Sequence, residues 1–85
     1  MKDVYAQAAI TPFRTNQNEP VRYRVEVDGD RPLEWANTGV YDTPEDALAA
    51  FTLPLRIERQ LEAMQAFREG RKFTFSLSDL SLSDV

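Results

Sequence analysis

Val21-Arg22-Tyr23-Arg24-Val25-Glu26-Val27-Asp28-Gly29-Asp30 is the stretch that decides the fold. Val21, Tyr23, Val25 and Val27 alternate with Arg22, Arg24, Glu26 and Asp28, the two-residue period of a strand with one buried and one wet face. Asp28-Gly29-Asp30 predicts a hairpin turn, because glycine accepts the positive φ of a tight turn and aspartate caps its own backbone. Upstream, Val4–Phe13 is rich in strand formers, and Pro12, which cannot donate to a ladder, marks it as an edge strand or a strand end. The polar run 15–20 joins the two as a loop. Downstream, Leu33, Trp35 and Val40 read as a third strand whose limits are blurred by Pro32 and Gly39.

Thr43-Pro44-Glu45-Asp46 then starts a helix: a hydroxyl for an orphan amide, proline at the first helical position and two acids at the positive end of the dipole. Gly70 after Glu69 supplies a left-handed end. Pro54 in between removes a backbone hydrogen bond and crowds the carbonyl of Ala50. Ala47, Leu48, Phe51 and Leu55 share one side of a straight rod, whereas Ile57, Leu61, Met64 and Phe67 share nearly the opposite one. The spacing therefore predicts a short helix from Pro44 to about Thr52, a break at Leu53-Pro54 and a longer helix to Glu69, with a partner subunit as the alternative cover for the second stripe. Arg71–Leu77 alternates again, with Phe73, Phe75 and Leu77 inward. Leu80 and Leu82 either extend that strand past a bulge or belong to a loose acidic tail over 78–85.

The expected fold is α+β in two layers: an antiparallel sheet of about four strands, order β-β-β-α-α-β, with the Pro54-broken helical segment on one face. A chain of 85 residues carries one such domain, and 42% hydrophobic residues can fill its core. So small a core has little stability to spare, which makes self-association one remedy. No cysteine is present, and Met1-Lys2-Asp3-Val4 does not open a secretory signal, so a cytoplasmic location is the expectation. A net charge of −4 argues against coating nucleic acid by charge alone.

Histidine is absent as well, which removes the usual general base and the common metal ligands. Asp28 with Asp30, and Glu45 with Asp46, are the closest carboxylate pairs, and a turn and a helix cap account for both. No glycine-rich phosphate loop exists and no cofactor or metal is expected. The remaining candidates are binding residues. Arg22 and Arg24, with Lys72 from the last strand and Tyr5 alongside, fall on the outward sheet face, diluted by Glu26 and Glu34. Trp35, Tyr41 and Arg31 form a second patch of hot-spot residue types, for which core packing of the tryptophan is the competing reading.

These observations point to a non-catalytic, protein-binding module. By size and charge alone it is analogous to phage and mobile-element proteins that inhibit a host defence complex such as CRISPR. A nucleic-acid-binding domain using the Arg22, Arg24 and Lys72 face is the alternative. A structural or homo-oligomeric subunit pairing through the first or last strand is the third reading.

Overall fold

The computed structural model describes residues 7–28 and 34–81. Within them the alternating stretches form a four-stranded antiparallel sheet of β1 (Gln7–Phe13), β2 (Arg22–Asp28), β3 (Gly39–Tyr41) and β4 (Phe73–Ser76), in the spatial order β3-β2-β1-β4. Helices α1 (Pro44–Leu48) and α2 (Ile57–Arg68) lie between β3 and β4 in the chain. The fold is α+β with both helices against one sheet face, as the residue pattern implies.

Most inward residues are those the alternation assigns; Leu77, expected inward, is instead 49% exposed, because the chain leaves the strand after Ser76 for a 3-10 turn. Ile10, Val25 and Phe75 are almost fully buried, and Tyr23, Tyr41 and Phe73 pack around them. Aromatic rings link the layers: Tyr23 lies 5.4 Å from Phe67, and Phe51 lies 5.3 Å from Phe75. Much of the helical contribution is small, from Ala47, Ala63 and Ala66, so α2 can approach the aromatic sheet closely.

Further expectations need correction. β1 is an interior strand, with β2 on one side and β4 on the other. Pro12 is tolerated there because β4 pairs only with Gln7–Ile10, which leaves the end of β1 with a single neighbour. The open edges among the described residues are β3 and β4, and over Gln7–Ile10 both sides of β1 are already paired.

β3 comprises Gly39–Tyr41 and excludes Trp35; Leu33 and the Gly29-Asp30 part of the turn lie outside the described residues. Trp35 is drawn to the chain behind α1, where it stacks on Phe51 at 6.0 Å. Its carbonyl accepts from the Thr52 N–H, and the Asn37 N–H donates to the Ala50 carbonyl. The same pairing ends α1 at Leu48 rather than near Thr52, because Ala50 and Phe51 leave the helix to bridge to residues 36 and 37. The start of α1 is as expected: the Asp46 N–H donates to Thr43 Oγ1 at 3.0 Å.

Pro54 lies within the non-helical stretch 49–56 that separates the two helices, and α2 ends in the Gly70 cap. Gly70 has φ +75°, its N–H reaches the Phe67 carbonyl, and the Arg71 N–H reaches that of Ala66. The faces of α2 also differ: of the expected stripe Phe67 is buried and Met64 partly so, while Ile57 and Leu61 point outward. The tail differs as well. Leu77–Asp79 forms a 3-10 turn with a capping box, Leu80 is buried and bridges Leu55, and the Ser81 N–H donates to Pro54's carbonyl. Thus 78–81 is packed, and 82–85 lie outside the described residues.

Candidate functional site

The helices cover one side of the sheet, so every second strand residue faces outward on the other. On β1 these are Gln7, Ala9, Thr11 and Phe13, paired across β2 with Asp28, Glu26, Arg24 and Arg22. Val40 of β3 stands across from Arg24, and Thr74 and Ser76 of β4 stand across from Ala9 and Gln7. Continuing that register by one residue sets Lys72 opposite Thr11. A row therefore runs Lys72, Thr11, Arg24, Val40, with Phe13 and Arg22 in the next row.

This arrangement separates charge along the strands. Arg22, Arg24 and Lys72 gather toward one end of the face and Glu26 lies toward the other. The Arg24 guanidinium lies over the Phe13 ring, 4.6 Å from its centroid, a cation–π contact that fixes a long side chain flat on the surface. Arg22 Nε comes within 3.6 Å of Asp42 Oδ1, but that carboxylate is 81% exposed, so water screens the pair and the arginine stays available.

The middle of the face is shallow. Gln7, Ala9, Thr11, Glu26, Lys72 and Thr74 border an open depression of about 210 Å³, below the roughly 300–1,000 Å³ of sites that enclose small molecules. Among the described residues no three Asp or Glu side chains converge into a metal-binding group. Glu69, whose carboxyl is held below its ordinary pKa by hydrogen bonds from Gln65 and Arg71, sits at the α2 terminus away from this face.

Of the residues singled out from sequence, the sheet gathers Arg22, Arg24 and Lys72. Trp35 and Tyr41 do not join them. Trp35 is half-buried on Phe51, and Tyr41, also half-buried, packs on the core and donates its hydroxyl to the Asn37 carbonyl at 2.9 Å. Arg31 and Tyr5 lie outside the described residues. Phe13 and Thr11 were not legible as site residues, since only the β1–β2 register places them beside Arg24; their shared parity in β1 was the available signal.

No protein family, curated protein or solved structure matches this chain. The reading of the surface rests on its own chemistry.

Proposed function

We propose that the protein is a non-catalytic binding module whose working surface is the basic end of the open sheet face, and that it takes an acidic segment of a protein partner. The observation that carries this reading is the Arg24–Phe13 stack, with Arg22 and Lys72 beside it on a sheet face that no helix among the described residues covers. Arginine and aromatic side chains dominate binding hot spots, and an arginine already ordered on a ring loses less entropy when it is engaged. The local positive charge on a chain of net charge −4 favours acidic partners at this end and repels them elsewhere, which sets orientation. The inhibitor analogy adds one requirement: the partner is held stoichiometrically and loses an activity while held.

The test is parallel affinity capture with the wild-type protein and Arg24→Glu. Recovery of a stoichiometric, nuclease-resistant protein partner by the wild type and not by the variant supports the reading; recovery by both, or by neither, overturns it.

The same stack favours a second reading, single-stranded nucleic acid, because bases stack on aromatic rings and guanidinium planes. Fluorescence anisotropy with labelled single strands separates the two. Nucleic-acid binding falls steeply as salt rises and weakens with Phe13→Ala, whereas a protein-binding surface gives no signal in that assay.

A further inference from the structure

Helix α2 is buried on one face and apolar on another. Its buried side chains are Ala63, Ala66 and Phe67, whereas Ile57 and Leu61 are 67% and 66% exposed. At 3.6 residues per turn the exposed pair lies about 145° around the helix from the buried set. Ile57 and Leu61 are four residues apart and therefore adjacent on the surface, and half-buried Met64 continues the stripe. Two neighbouring aliphatic side chains left in water forfeit transfer free energy that a covering surface would recover.

The charges around the stripe select what covers it. Glu58 flanks its first turn and Arg68 stands exposed at its end, in line with Ile57 and Leu61. A parallel copy of the helix would set Glu58 beside Glu58 and Arg68 beside Arg68. An antiparallel copy sets Leu61 across from Met64, brings Glu58 of each helix to Arg68 of the other, and opposes the two helix dipoles. The surface is thus complementary to itself about a two-fold axis, the commonest symmetry of protein dimers. The need is plain too, since a core built so largely of alanine recovers little by burial alone.

We propose that α2 is the interface of a homodimer, packed antiparallel on its counterpart through Ile57, Leu61 and Met64 and closed at both ends by Glu58–Arg68 pairs. The open sheet faces are left uncovered, one per protomer. This inference does not depend on what the sheet face binds.

Sedimentation equilibrium over a concentration series tests it, with circular dichroism to establish that each variant is folded. The wild type is expected to move from 9.7 kDa toward twice that mass as concentration rises. Leu61→Glu, at a site two-thirds exposed, is expected to stay at the monomer mass. Glu58→Arg and Arg68→Glu are each expected to weaken self-association by setting like charges together at both ends. Mixed, they are expected to form a heterodimer tighter than either homodimer, because one helix then carries two arginines and the other two glutamates. A wild type that stays monomeric overturns the proposal, as does a dimer that persists in Leu61→Glu. So does a mixture no tighter than its components, which would rule out the antiparallel register even if Leu61→Glu failed to fold. A monomer that loses stability, or loses a different protein partner, on Leu61→Glu assigns the stripe another occupant and also overturns it.

Discussion

The Arg59 Nε lies 3.0 Å from Asp79 Oδ1, and this pair ties helix α2 to the last turn of the described chain. The approach is off the N–H axis, so it is an ion pair without an aligned hydrogen bond. Asp79 Oδ2 also accepts from the Ser76 N–H at 2.9 Å, and the Arg59 guanidinium covers the Phe73 ring at 4.6 Å. Asp79→Ala removes both the cap and the pair, and a loss of about 1–2 kcal/mol is expected in urea unfolding. In a double-mutant cycle with Arg59→Ala, the pair itself should account for about 0.5–1 kcal/mol, because Arg59 remains partly in water.

Leu80 is expected to behave as a core residue. It is 1% exposed, whereas Leu77, three residues earlier, is 49% exposed. Leu80→Ala should cost about 2–5 kcal/mol and Leu77→Ala no more than about 0.5 kcal/mol. Equal effects in chemical denaturation would mean that the 3-10 turn does not dock Leu80 as described.

The alternation in β2 and β4 and the caps at Thr43 and Gly70 were legible because each is a local rule that tertiary contacts reinforce. Trp35 and Leu80 were misplaced for the opposite reason. Their positions depend on pairing with Phe51 and Leu55, a long-range choice that no local pattern encodes. The α2 stripe misled because apolar periodicity shows which face avoids water, not whether this chain's own sheet covers it. The site was half legible: parity placed Arg22 and Arg24 outward, but the partner ring of Phe13 required the β1–β2 register.

Helix α2 begins poorly capped. Arg56 occupies the N-cap with extended backbone angles and no side-chain hydrogen bond to the first turn. Its backbone N–H already donates to the Asp79 carbonyl, which a substitution leaves in place. Arg56→Ser supplies a hydroxyl for an orphan amide and should raise stability by about 0.5–1 kcal/mol, seen as a higher urea midpoint with an unchanged slope.

Glu69 should titrate below its ordinary range because Gln65 and Arg71 hydrogen-bond its carboxylate, with the Arg71 charge adding to the effect. A lowered folded-state pKa means that this contribution to stability is complete above the ordinary, unfolded-state range and vanishes as pH falls through the lower folded-state value. Carboxyl NMR titration is expected to show an upward shift of the Glu69 midpoint in Gln65→Ala and in Arg71→Ala. Unchanged midpoints in both would remove hydrogen bonding as the cause.

Arg24 and Trp35 separate binding from folding. Both were candidates for a partner surface, yet Arg24 lies on the open sheet face and Trp35 stacks on Phe51 at the core margin. Arg24→Glu gives up a surface cation–π contact and should cost at most about 1 kcal/mol. It nevertheless reverses charge in the middle of the basic end, so partner capture should be lost while the unfolding midpoint barely moves. Trp35→Ala removes a large ring that spans residues 35 and 51, and a loss of about 2–4 kcal/mol is expected, with any binding defect tracking the unfolded fraction. Measuring capture and urea stability on both variants decides the matter. A Trp35→Ala protein that keeps wild-type stability but loses its partner would move the working surface off the sheet, since only a ring engaged by the partner rather than the core could act that way.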